Sequence, residues 1–115
     1  MFKALKPTLA ASIIAATFSF NTFAADVEKI HFLIPGGAGG GWDMTARGTG
    51  DVLVKSDIVE NVSFQNLSGG GGGKAIAHLI ETAKRQEDTL MVNSTPIVVR
   101  SLTGIFPQSF RDLTP

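Results

Sequence analysis

The sequence predicts an α/β fold built on a parallel sheet, and three observations predict it. Strand-like and helix-like segments alternate three times along the chain, and the connections between them are short. Two glycine-rich runs, "GGAGGG" at 36–41 and "GGGGG" at 69–73, each stand between a strand segment and a helix segment. Such alternation gives parallel strands joined by right-handed crossovers, with helices on the sheet faces. Both glycine runs then fall at carboxyl ends of strands, the edge where open α/β sheets bind ligands.

The elements follow in order. "VEKIHFLIPGG" alternates Val27, Lys29 and His31 against Ile30, Phe32 and Ile34, and stops at Pro35-Gly36, a strand running into a turn. A helix is expected from Asp43 to about Lys55, with the Asp43 carboxylate as its cap. Gly48 and Gly50 inside it cost roughly 1 kcal/mol each relative to alanine. "NVSFQNLS", residues 61–68, sets Val62, Phe64 and Asn66 against Ser63, Gln65 and Leu67 as a second strand. "KAIAHLIETAKR", residues 74–85, places Ile76, Leu79, Ile80 and Ala83 on one face at helical spacing, the clearest helix of the chain. "TLMVNST", residues 89–95, is a third strand whose apolar residues Leu90 to Val92 predict cover on both faces. Thr95 then caps, and Pro96 opens, a third helix that Gly104 ends.

Residues 1–24 stand apart from this pattern. Lys3 and Lys6 precede an apolar stretch from about Leu9 to Phe20, and "TFA" leads to Ala24 as the residue before a cut, the layout of a cleaved secretory signal peptide. A membrane anchor would need about 20 apolar residues, more than this stretch supplies. Cleavage removes Lys3 and Lys6 but no acid, which leaves the mature chain, residues 25–115, slightly acidic. No basic block points to nucleic acid. With no cysteine there are neither disulfides nor thiolate metal sites, so an exported product of about 91 residues depends on a modest hydrophobic core. The chain stops at "FPQSFRDLTP" with no completed element, the expectation being the front part of something larger.

The glycine runs carry the chemistry. The first N–H groups of a helix lack partners within it and its dipole makes that end partly positive. Glycine lets an oxyanion approach those N–H groups, so phosphate, sulfate or carboxylate all fit, and two such ends on one sheet edge could grip one anion from two sides. The phosphate motifs fail on spacing. Counting back from Gly73-Lys74 puts Ser68 where a P-loop has its first glycine, and Ala75 stands where the magnesium-binding serine or threonine belongs. The dinucleotide fingerprint ends on Trp42 in the first run and on Lys74 in the second.

The remaining candidates are sparse. His31 and His78 have no carboxylate at metal-ligand spacing, so no metal and no cofactor are expected. Ser68, Ser94 and Thr95 stand at strand ends where a hydroxyl could meet a ligand, but none sits in a nucleophile elbow or beside a histidine base. Arg47 either pairs with Asp43 at i, i+4 or offers its guanidinium to a carboxylate. Trp42 either walls a cleft or packs under the loop, and Lys74 is either solvated or a partner for a bound anion.

"IPGGAGGGWDMTAR", "NLSGGGGGKAIAHLI" and "DTLMVNSTPIVVRSLTG" followed by "FPQSFRDLTP" resemble the N-terminal part of the periplasmic receptors of tripartite tricarboxylate transporters, the TctC or Bug family. The resemblance covers residues 26–115 and implies part of the first lobe of a two-lobed periplasmic binding protein fold. It further implies a monomeric, periplasmic receptor that captures a small di- or tricarboxylate without bond chemistry and presents it to the membrane subunits of a transporter. Carried onto this chain, the ligand loops are Gly37, Ala38, Gly39, Gly40, Gly41 and Trp42, then Ser68, Gly69, Gly70, Gly71, Gly72 and Gly73, with Ser94 and Thr95 as further contributors. The family's second lobe and returning C-terminal segment have no counterpart in these residues, and Gly48 and Gly50 replace better helix formers. Two alternatives stay open: a truncated, non-binding remnant of such a receptor, and an enzyme using the anion site for a phosphorylated substrate.

Overall fold

A computed structural model describes residues 27–82, 85 and 87–113. The signal segment 1–24, and Ala83 of the predicted apolar helix face, lie outside the described residues. The described elements are β1 (Val27–Ile34), α1 (Gly41–Lys55), β2 (Val59–Asn66), α2 (Gly73–Thr82), β3 (Thr89–Met91) and α3 (Thr95–Leu102). Short 3₁₀ turns at Gly70–Gly72 and Phe110–Asp112 complete them. The three strands make one parallel sheet in the order β2-β1-β3, so the chain is an α/β fold with its first strand in the centre.

The centre explains the sequence of β1. Phe32, Leu33 and Ile34 are consecutive and all buried, as a strand covered on both faces requires. Phe32 and Ile34 pack with Ala46 of α1 and with Leu53, Val62, Phe64 and Val92. On the other face Ile76 of α2, Ile97 of α3 and Phe106 form a second cluster, joined by Met91, Ile80 and Leu113. Helices therefore cover both faces, and Trp42 touches both clusters.

Several boundaries differ from expectation. The second strand begins at Val59 and ends at Asn66, which leaves Leu67 and Ser68 in the loop. Val59 anchors its start, 1% exposed and paired with Val27, although Glu60 and Asn61 disguise it as a polar linker. The third strand spans only Thr89–Met91, and Leu90 is 52% exposed rather than covered on both faces, because β3 is an edge strand and α1, on the Phe32 side, lies over β1 and β2. The first helix is regular through Gly48 and Gly50 and starts at Gly41, ahead of Asp43.

Both α1 and α3 end in the same way. Gly104 (φ +74) donates to Ser101 O and Ile105 to Arg100 O, a Schellman closure with glycine in the left-handed position. After α1, Asp57 donates to Val54 O and Ile58 to Leu53 O, and Asp57 takes φ +55 in the position where glycine is cheapest.

Candidate functional site

At the carboxyl edge, β1 leads to α1 on one face of the sheet and β3 leads to α3 on the other. Connections that diverge from adjacent strands open a crevice between them. A cleft of about 470 Å³ lies there, walled by the first glycine run, Trp42 and Thr45 on one side and by Val92, Asn93, Ser94 and Pro96 on the other. Of the residues expected from the sequence, it gathers Gly37, Gly40, Gly41, Trp42 and Ser94. Gly36, Thr45, Val92, Asn93 and Pro96 were not anticipated. Their one signal was position, since Val92 and Asn93 are the two residues that follow β3 and Thr45 lies one helical turn after Gly41.

The mouth of α1 is built from glycine. Gly40 is the N-cap, with extended backbone (φ −76, ψ 170) and no side-chain bond to the first turn. Its carbonyl accepts from Met44 N–H at 2.9 Å, and nothing of its own can cover the N–H groups that follow. Asp43 is thus not the cap. It is the third helical residue, and its carboxylate reaches back past the cap to accept from Gly39 N–H at 2.8 Å, while the cap's own N–H goes to Gly37 O.

Asp43 is 4% exposed and fully engaged. Arg47 Nε donates to both its oxygens at 3.0 Å, and Asn66 Nδ2 donates to Oδ1 at 3.0 Å while also bonding Gly36 O. The Arg47 bond first, then the Gly39 N–H and the Asn66 amide, lower the Asp43 pKa to about 2. Arg47 also lies over the Phe64 ring, 4.9 Å from its centroid, and reaches Asn66 Oδ1 at 3.3 Å. The end of β2, the loop after β1 and the start of α1 are tied at one ion pair, so Arg47 is a partner of Asp43 in this state.

Trp42 does both things open to it. Its ring lies on Gly36, where a Cβ would stand 3.1 Å from Cε3, and it lines the cleft. Its Nε1–H donates to Ser94 Oγ at 2.9 Å and so links the two walls. Ser94 is also the N-cap of α3, without a side-chain cap bond, its hydroxyl being taken by Trp42. Thr95, expected as that cap, is instead the first helical residue and is exposed. It does not line the cleft.

The second glycine run has other duties. Gly69, Gly70, Gly71 and Gly72 all have positive φ, a path that side-chain-bearing residues rarely follow. Gly72 and Lys74 donate their N–H to Gly69 O, and Gly73 to Gly70 O, so these donors are engaged within the turn. Gly72 and Gly73 are buried, and a Cβ would meet Ile97 Cδ1 at 2.4 Å and Phe106 Cβ at 2.5 Å. Arg100 Nη1 holds Gly71 O at 3.0 Å. None of Gly69 to Gly73 lines the cleft, and Ser68 comes near it only through Gly37, whose Cβ position is 4.0 Å from Ser68 Oγ. Lys74 is exposed.

His31 lies away from this edge, over a second cavity of about 430 Å³ lined with Lys29, Ser63, Gln65, Arg85 and Asp88 among others. Parallel register sets it opposite Ser63, and Nδ1 and Ser63 Oγ are 2.7 Å apart. Nε2 lies 3.2 Å from Gln65 Oε1. A serine does therefore stand beside a histidine, a pairing hidden by a separation of 32 residues. Its third member is an amide, where a hydrolase triad has a carboxylate to orient the imidazole. Among the described residues no group of three or more histidines and carboxylates could hold a metal ion, and no helix is long and apolar enough to cross a membrane.

No protein-family model matches the chain, and no curated protein or solved structure matches it either.

Proposed function

We propose that this chain is the ligand-gripping part of an exported receptor for small carboxylates, acting by reversible capture in the cleft between the β1–α1 and β3–α3 connections. One observation carries the proposal: α1 begins at a glycine that offers its first turn no side-chain acceptor, and that turn opens on the cleft. Donors without an internal partner, at the positive end of a 15-residue helix, suit an anion. Ser94 and Asn93 on the opposite wall add a hydroxyl and an amide for orientation. The signal-like segment 1–24 supports a periplasmic location, and the resemblance to tripartite tricarboxylate transporter receptors supports delivery to membrane subunits, with di- and tricarboxylates as the ligands that resemblance brings.

Calorimetric titration with carboxylates and with their primary amides tests the proposal. The acids bind and the amides do not, because only the acids present an oxyanion to the N–H groups. Equal binding of an acid and its amide, or binding of neither, overturns it. Intact mass of the protein from the periplasm checks the cut after Ala24.

A further inference from the structure

We infer that Ser63 is a nucleophilic hydroxyl activated by His31 and able to take an acyl group from an activated ester, a site apart from the cleft and independent of the carboxylate reading. The hydrogen bonds fix the direction of each proton. Gln65 Oε1 can only accept, so Nε2 of His31, 3.2 Å away, carries the ring proton. A neutral imidazole has a single N–H, which leaves Nδ1 with its lone pair toward Ser63 Oγ at 2.7 Å. The serine hydroxyl therefore donates to a base, the arrangement that activates a serine nucleophile. An amide orients the histidine in papain-like proteases, so the third member need not be a carboxylate.

The pair stands on a rigid platform. β1 is the central strand, and at His31 it is paired on both sides, with Ser63 of β2 and Thr89 of β3. His31 N–H donates to Asp88 O at 2.9 Å, so the ring projects from backbone held at both edges, where a strand keeps side-chain geometry better than a loop. His31 is half-buried and Ser63 exposed, so the base is sheltered while the nucleophile is open to a reagent. The cavity of about 430 Å³ in front of them has room for a small ester. Its charged lining is Lys29, Arg85, Glu87 and Asp88, of which the two cations can stabilise a tetrahedral oxyanion and the two acids oppose it. In the step itself, Ser63 Oγ bonds to the acyl carbon and its proton passes to His31 Nδ1. The bond from the acyl carbon to an aryloxide then breaks, and the aryloxide leaves with that proton.

The test treats the full chain with p-nitrophenyl acetate and follows acetylation site by site by peptide mass spectrometry, with the exposed Ser56 as internal reference. Ser63 is expected to acetylate about 10²-fold faster than Ser56, and His31→Gln should remove that advantage. Gln65→Glu supplies the carboxylate of a full triad and should raise the Ser63 rate about tenfold, which a residue that merely fills the sheet face would not do. Ser63 reacting no faster than Ser56 in the wild-type chain overturns the inference, and that comparison stands whether or not a variant folds. An advantage that survives His31→Gln also overturns it. An unchanged rate in Gln65→Glu overturns the role given to Gln65, and with it the tautomer on which the activation rests.

Discussion

Replacing Gly48 and Gly50 by alanine, one at a time, separates helix propensity from packing within a single turn of α1. Each change gains about 1 kcal/mol from propensity, since both glycines are interior to the helix. At Gly48 a new Cβ meets nothing within 4 Å, so the gain is kept whole. At Gly50 the Cβ stands 2.8 Å from Phe64 Cζ, 3.2 Å from Phe64 Cε1 and 3.3 Å from Phe32 Cε2. The Phe64 ring cannot simply retreat. It is stacked on Phe32 with centroids 5.5 Å apart and planes at 13°, and Arg47 lies over it. Overpacking of this kind costs about 1–3 kcal/mol.

Because the propensity gain is common to both variants, the difference in their stabilities isolates the overpacking term. Gly48→Ala should be about 1–3 kcal/mol more stable than Gly50→Ala. In a domain of this size that is a separation of about 4 °C or more in Tm. Urea denaturation followed by far-ultraviolet circular dichroism measures it, with thermal unfolding as a second readout. If the two variants agree to within about 0.5 kcal/mol, the close approach of α1 to the phenylalanine pair is not real at this position and the assigned role of Gly50 is wrong.

Four further outcomes follow from the same contacts. The depressed Asp43 pKa means its contribution to stability is complete above the ordinary value of 3.8 and is lost as pH falls toward about 2. Asp43→Asn should therefore be less stable than wild type at pH 7, and the deficit should shrink over that acid range in a pH series of urea midpoints. Gly73→Ala places a Cβ 2.5 Å from the Phe106 Cβ, an atom fixed to the backbone, and should cost about 1–3 kcal/mol by the same denaturation assay. Asp57→Gly relieves a side chain at φ +55 and should raise stability by about 1 kcal/mol in urea. Arg47→Gln leaves Asp43 uncompensated beside the cleft and should weaken binding of the proposed carboxylate about two- to fivefold at low salt, less at high salt. The double variant with Asp43→Asn should recover the affinity.

The alternation of elements was legible because burial on one face writes a period into the sequence, as in Phe32 and Ile34 of β1 or Ile76 and Ile80 of α2. The strand order was not, since no local period says which strand lies in the centre. The exposure of Leu90 follows from that order together with the seat of α1 over β1 and β2. Asp43 was legible as a residue serving the start of α1, but its register was not, because an acid at the third helical position and an acid at the cap precede a helix in much the same way. The two glycine runs were the hardest to tell apart. Glycine records that space or a positive φ is needed, and the residues that need it, Ile97 and Phe106, lie more than twenty positions further along.

The two runs nonetheless converge on one cleft. The first supplies its floor directly. The second determines where the opposite wall stands, because Gly72 and Gly73 allow Ile97 and Phe106 to seat against the turn, and Gly71 O receives Arg100. Those contacts fix α3. Ile97 N–H donates to Ser94 O at 2.9 Å, so the residue that packs on the second run belongs to the same turn as the residue that lines the cleft. Ser94 then stands where Trp42 Nε1 can reach it. A side chain added at Gly72 or Gly73 would move α3, and with it Ser94, away from Trp42 without touching the cleft. Two glycine loops that look equivalent as anion cradles thus divide the work, one leaving backbone donors open and the other holding the wall that faces them.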